Sequence, residues 1–424
     1  MSDTVVDSGP YVQPEQLCIG LYVHLDLSWT QHPFTFSSFK IKSKEQIETI
    51  QSLGLNRIRY NPDKSDCSPP AREPTPPTAS PTQTLPPAGE SDAVVAAKRD
   101  RMARLDRQRA KAQACEKELV SAAQTVRSIN QNVFSRPDEV RESAITLIEG
   151  MAASMLVEAD VSIQLMADKV GGEEVYHHAL NVSLLSMMLA KELKAPAETV
   201  RSVGLAALFH DIGELEIPDR IRKQITPLNK AELALWQQHC EYGTQIGKKL
   251  SLPADVLHVI GQHHERVDGT GFPAHLKAPQ MSLMTRIVSL VNAYEELCNP
   301  RDPSRAHTPH EALSTMFAQQ RSQFDPLAMS TFVRCMGVYP PGTIVVLSNG
   351  TTGMVVSVNT TKPLRPMVLV FDPAVPREEA ILVDLEQEAD VSVTKTLKPP
   401  QLSPEAHTYL APRKRVTYYF DSES

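Results

Sequence analysis

The sequence predicts a mainly α-helical protein: an all-helical bundle as the central domain, a small mixed α/β domain ahead of it, and a small antiparallel β unit after it. Three observations predict this. From Pro137 to Met336 the pattern is helical almost throughout. Ahead of it, strand-like and helix-like pieces end in a proline-rich stretch. After Tyr339-Pro340-Pro341-Gly342, clusters of β-branched residues alternate with turn signals.

The elements follow in order. Residues 1–64 form the N-terminal domain. Leu17–Leu25 is strand-like, Ser43-Lys44-Glu45-Gln46 has capping-box spacing and opens a helix through Leu53, and Gly54 stops it. Leu55–Tyr60 is a second strand. Residues 65–92 are a linker, with eight prolines between 68 and 91. Residues 93–135 predict one long helix, because 93–130 contain neither Pro nor Gly. Leu105, Ala112, Leu119 and Val126 recur every seven residues, and Cys115, Ala122 and Ile129 form a second row. That seam suits a homodimer through 93–130 or packing on the next domain, and the basic run Lys98–Lys111 reads as a solvated face. The helical domain spans 136–340, the β unit 341–400 with strands at 343–347, 354–358 and 367–371, and 401–424 is a polar tail expected to be partly disordered.

Composition narrows the function. A net charge of -7 on 424 residues argues against a nucleic-acid polymer as partner, because phosphate neutralisation needs a basic surface. None of the six cysteines has CxxC spacing, which removes zinc-ribbon and thioredoxin-type sites and fits a reducing cytosol. No signal peptide is visible at the N-terminus, and no apolar run reaches the roughly 18 residues of a membrane helix. The expectation is a soluble cytoplasmic protein with no membrane span.

The chemistry is carried by histidine. Eight of the 13 histidines fall between 177 and 275. Glu174 and His178 share a helix face at i, i+4. His210-Asp211 ends the apolar segment Val203–Leu208, His239 comes 29 residues later, and His263-His264-Glu265 follows the helical run 256–262. Imidazole and carboxylate without thiolate suit iron, manganese or zinc. An Asp beside a His can bridge two metals, and two or three close metals can acidify a water and clamp a phosphate ester.

These residues, with Ala206-Ala-Leu-Phe-His-Asp-Ile-Gly213, Ile217-Pro218-Asp219, the block His263-His-Glu-Arg-Val-Asp-Gly-Thr-Gly-Phe-Pro273, Arg286–Asn292 and Phe324-Asp325-Pro326, resemble the HD-GYP family of HD phosphohydrolases over about 165–335. The segments outside this core resemble a subgroup with a small N-terminal domain of unknown function. The resemblance implies an all-α HD-type bundle that hydrolyses cyclic di-GMP to pGpG or GMP through a metal-activated hydroxide. It implies two or three divalent ions, iron or manganese. The implied metal ligands are His178, His210, Asp211, His239, His263, His264 and Asn292, with Glu174 for a third metal. Asp211 and His210 are the implied catalytic pair, and the loop 268–273 is a candidate surface for protein partners.

Three positions depart from the family pattern. Glu214 stands where a Lys near substrate phosphate is usual, Asn292 where a ligand Asp is usual, and Phe272 where Tyr is usual. Arg301, nine residues after Asn292, is a candidate phosphate contact, and Glu214 would border the same substrate. Asp268 reads as ordering the loop at Gly269. The alternative reading is a catalytically weak or inactive protein that binds cyclic di-GMP as a sensor or scaffold, which Glu214 and Asn292 favour. A third is an HD phosphohydrolase for another phosphorylated nucleotide.

Overall fold

Ser43 does open the first helix, but the capping box closes one residue away from its expected partner. The Ser43 hydroxyl accepts from Gln46 N at 3.3 Å, while the Gln46 side chain reaches back to Lys42 N at 2.7 Å. In this computed structural model the described residues are 10–27, 32–34, 36–70, 103, 107, 110, 117–157, 163–165, 174–358, 362–373, 375–377, 380–388, 390–411 and 418–420. Most of the linker, residues 71–92, and most of 93–116 lie outside them. The chain divides into two units: residues 1–108 with 349–351 and 372–383, and residues 109–348 with 352–371 and 384–424.

In the first unit, β1 (Tyr11–Val12), β2 (Tyr22–His24), β3 (Ser38–Lys40) and β4 (Ile58–Tyr60) form an antiparallel sheet in the order β1-β4-β2-β3, with α1 (Lys44–Ser52) between β3 and β4. The long strand expected over 17–25 is cut to β2. Gly20 takes a positive φ of 98°, which breaks an extended run before Tyr22. Leu21, Val23, Leu25, Ile41, Ile50 and Ile58 form the core.

The second unit holds the helical domain. Helix α2, over 117–132, precedes α3 (Pro137–Val157), α4 (Glu174–Glu192), α5 (Ala197–Phe209), α6 (Asp219–Arg222), α7 (Lys230–Gln237), α8 (His239–Lys249), α9 (Ala254–Gln262), α10 (Leu283–Cys298), α11 (Pro309–Gln319) and α12 (Pro326–Met336). In the described part of the heptad seam, Leu119, Ala122, Val126 and Ile129 are buried within the chain; Leu105, Ala112 and Cys115 lie outside the described residues. α4 packs on α5 and α10, α5 on α3 and α9, and α8 on α9. Among the described residues one strand interrupts the helical run, β5 (Ile163–Leu165).

The β unit is antiparallel as expected, but wider than 341–400. Its strands β6 (Ile344–Leu347), β7 (Thr352–Val358), β8 (Met367–Val370), β9 (Ile381–Asp384) and β10 (Val393–Leu397) are followed by α13 (Pro404–Leu410) and β11 (Tyr418–Phe420). β10 pairs with β6, and β7 pairs with β6, β8 and β5. β11 pairs with β5. The segment read as a polar tail therefore carries a capped helix and a strand. Ser403 accepts from Ala406 N at the start of α13, and Tyr409 and Leu410 are buried at its end. Among the described residues no helix is long and apolar enough to cross a membrane.

Candidate metal centre

Three of the implied ligands share one local design. His210 Nδ1 donates to Ala207 O at 2.7 Å, His239 Nδ1 to Trp236 O at 2.7 Å, and His263 Nδ1 to Ile260 O at 2.8 Å. A carbonyl can only accept, so Nδ1 carries the proton in each ring and the Nε2 lone pair is left free. Each histidine stands at a helix end, where a side chain can turn back onto the carbonyl three residues earlier. All three are fully buried.

Asp211 lies between two pairs of these rings. Its Oδ2 is 3.4 Å from His178 Nε2 and 3.3 Å from His210 Nε2, and its Oδ1 is 3.5 Å from His239 Nε2 and 3.3 Å from His263 Nε2. Two donor groups result, His178, His210 and Asp211 on one side and Asp211, His239, His263 and His264 on the other. Asp211 belongs to both, so a single carboxylate joins the two halves of the site. The approach that makes this possible comes from Gly213. A Cβ there would fall 2.0 Å from His239 O and 2.3 Å from Gly243 N, so only glycine lets the turn after Asp211 press against α8.

The donors fit divalent metal on two grounds. His178 Nε2 and His210 Nε2 are 3.0 Å apart, and His239 Nε2 and His263 Nε2 are 3.2 Å apart. Since Nδ1 already holds the proton in His210, His239 and His263, the facing nitrogens of His239 and His263 are lone pair against lone pair, which a cation relieves. Ligand atoms at such spacings are what bonds of about 2.1 Å produce around one ion. In addition, Asp211 Oδ1, His264 Nε2 and Asn292 Oδ1 are all buried without a hydrogen-bond partner. Buried polar atoms are otherwise paired.

The electrostatics agree. Burial, reinforced by neighbouring His210 and His239, pushes the His263 imidazole down to about 4. Burial likewise holds His264 well below its ordinary value, with His263 and His239 adding to it. Both rings are therefore neutral near pH 7 and have lone pairs to give. His178 is raised well above its ordinary range: burial opposes the charge, but Glu295 and Asp211 outweigh it. Asp211 is held well below the carboxylate range, its burial overcome by His210, His178 and His263. Cys240 Sγ lies 3.6 Å from His239 Nε2, but burial raises its thiol far out of the thiolate range, so the donor set stays imidazole and carboxylate.

Glu174 begins α4, and its side chain lies outside the described residues. Asn292 is fully buried on α10; its amide Nδ2 donates to Glu296 Oε1 at 3.3 Å. Glu214 does not face a phosphate position as a bare charge. It accepts from Trp236 Nε1 at 2.8 Å and pairs with the Arg301 guanidinium, which also lies 5.1 Å over the Trp236 ring. The two expected substrate contacts are thus paired with each other. Phe272 stacks on His264 with centroids 4.5 Å apart, which makes it a wall of the site. Asp268 accepts from Thr270 N and Oγ1 and so orders the loop. Buried Glu265 pins the same loop through Ala274 N at 2.6 Å and Leu276 N at 2.8 Å. Arg286 and Asp325 pair with each other at 3.1 Å, and Asp325 caps α12, so these motif residues are scaffold.

Sequence reading missed two residues. Glu295 is fully buried, meets His178 Nδ1, and accepts from Asn181 at 3.0 Å and Asn299 at 2.6 Å. It is the carboxylate behind a candidate ligand histidine, an arrangement that fixes ring orientation. Its signal was a Glu-Glu pair near the end of a mostly apolar helix, three residues after Asn292. Trp236, three residues before His239, had no sequence signal beyond being one of two tryptophans.

Comparison with known proteins adds the following. The HD domain family matches residues 160–327, a domain of unknown function (DUF3391) matches 12–144, and a KOW domain associated with HD domains matches 344–404. The chain is 31% identical to a cyclic di-GMP phosphodiesterase of Pseudomonas aeruginosa over 360 residues, 84% of this chain and 83% of that protein. It is 31% identical over 164 residues to a 3'3'-cGAMP-specific phosphodiesterase of Vibrio cholerae, 38% of this chain and 35% of that one. A cyclic di-GMP phosphodiesterase response regulator of Xanthomonas campestris is 25% identical over 217 residues, 50% of this chain and 54% of that one.

Proposed function

The chain belongs to the HD-GYP family of HD-domain phosphohydrolases, and on that premise we propose that it is a metal-dependent phosphodiesterase hydrolysing cyclic di-GMP to pGpG or GMP. The observation that carries the reading is Asp211, whose two oxygens each face a separate pair of imidazoles. His178, His210 and Asp211 would hold one ion and Asp211, His239, His263 and His264 a second, with iron or manganese suited to the set. A third ion would use Glu174. Divalent metal bound there would acidify a water and neutralise phosphate charge.

The chain's own residues do the rest. The backbone carbonyls of Ala207, Trp236 and Ile260 hold three rings in the ligating tautomer. Glu295 orients His178. Phe272 and Trp236 wall the buried His264 side of the site. Arg301, released from Glu214, is the cation placed to meet a substrate phosphate. The exposed rim of the 268–273 loop is the surface for a protein partner. A homodimer through 93–130 would rest on Leu105, Ala112 and Cys115, since the seam residues after 117 are already covered. The buried free thiols Cys240, Cys298 and Cys335 suit a reducing cytoplasm.

The test is to incubate manganese- or iron-loaded protein with cyclic di-GMP and follow pGpG and GMP. Product is expected, and H210A combined with D211A abolishes it. Product that survives the double substitution refutes the site. Binding without product supports the second reading, a sensor or scaffold, which the Asn292 amide and the Glu214–Arg301 pair favour.

A further inference from the structure

Asn292 poses a problem of orientation. An Asp at this position would present a carboxylate oxygen in either rotation of its end group. An amide presents an oxygen one way and a hydrogen-bond donor, useless to a cation, the other way. Two observations show how the chain resolves this. Asn292 is fully buried, and its Oδ1 has no hydrogen-bond partner. Its Nδ2 donates to Glu296 Oε1, one helical turn further along α10. A carboxylate only accepts, so Glu296 can hold only the NH2 end of the amide.

α10 carries Asn292 and Glu295 at i, i+3, and Glu295 meets the candidate ligand His178. α10 packs on α4, α5 and α9, the helices that bear or end at His178, His210 and His263. Asn292 is thus carried on a helix packed against those that bear the ligands, and its Oδ1, like Asp211 Oδ1 and His264 Nε2, is buried without a hydrogen-bond partner.

We infer that Glu296 is the positioning residue of the metal centre that lets Asn292 serve in place of an acid: it grips the amide nitrogen and so commits the carbonyl oxygen to the metal. The inference rests on the metal site proposed above. Glu296 itself is exposed, which makes it replaceable without disturbing the core.

The experiment measures bound manganese per chain and its apparent Kd on purified metal-stripped full-length protein, with thermal melting as the fold control. The variants are E296A, E296Q, N292D and N292D combined with E296A. E296A is expected to weaken binding about 10-fold or more, in the range seen when an outer partner of a ligand is removed. E296Q offers an oxygen and an amide donor alike, so it can hold either end of the Asn292 amide and is expected to lose affinity much as E296A does. N292D in the E296A background restores it, because an aspartate needs no orientation. Wild-type affinity in E296A, wild-type affinity in E296Q, or no rescue by N292D each overturns the inference while leaving the metal site standing. Wild-type protein that binds no metal overturns both.

Discussion

Replacing Glu214 by Gln should tighten cyclic di-GMP binding without changing the chemistry. Glu214 is 21% exposed and its partner Arg301 38% exposed, so their ion pair is a partly solvated one. Gln keeps an oxygen for Trp236 Nε1 and removes one negative charge. Freeing Arg301 from a pair of this exposure recovers ~0.5–1 kcal/mol. Removing the repulsion between a carboxylate and a phosphate about 6 Å away in water-like surroundings recovers ~0.7 kcal/mol more. Together these amount to ~1.2–1.7 kcal/mol, about tenfold in affinity. KM for cyclic di-GMP should fall about tenfold in E214Q while kcat stays within about twofold, because the change acts on ground and transition state alike. Steady-state kinetics on metal-loaded enzyme at low salt reads the effect, and raising the salt to about 1 M should shrink it, since the Debye length falls to about 3 Å. A KM that is unchanged or higher, in a variant that melts like wild type, refutes the idea that Glu214 holds Arg301 back from substrate. So does a gain that does not respond to salt.

Two other outcomes follow from the site. E295Q should lower metal affinity and kcat by roughly 10- to 100-fold, the range for a carboxylate behind a ligand histidine; in metal-free protein the His178 imidazole should also titrate lower, since Glu295 is the leading cause that raises it, and NMR titration checks this. G213A should cost about 1–3 kcal/mol or more of stability through overpacking, because its Cβ would sit 2.0 Å from a backbone oxygen, and denaturant unfolding of the metal-free protein measures it.

Local patterns carried much of this molecule. A helix end is encoded by its neighbours in sequence, so the His210-Asp211 pair at the end of α5, the cap at Ser43 and the strands around Asn349-Gly350 could be read from short stretches. The side-chain clusters obeyed the same logic, since His239 and His263 each turn onto a carbonyl three residues back. Where pairing joins distant segments the sequence was silent. β11 completes a sheet through β5, some 250 residues earlier, so the tail's order depends on a partner that no local window contains.

The sequence alone determined the ligand types, their order and the two charge departures, because those are properties of residues one at a time. Only the tertiary structure decided what the departures mean. Glu214 reads as repulsion until Arg301, 87 positions away, is seen to cancel it. Asn292 reads as a lost charge until its amide is seen to be held by Glu296 with the oxygen left free. A charge acts through what lies within a few ångströms of it, and that neighbourhood is assembled by packing α4, α5, α8, α9 and α10 together.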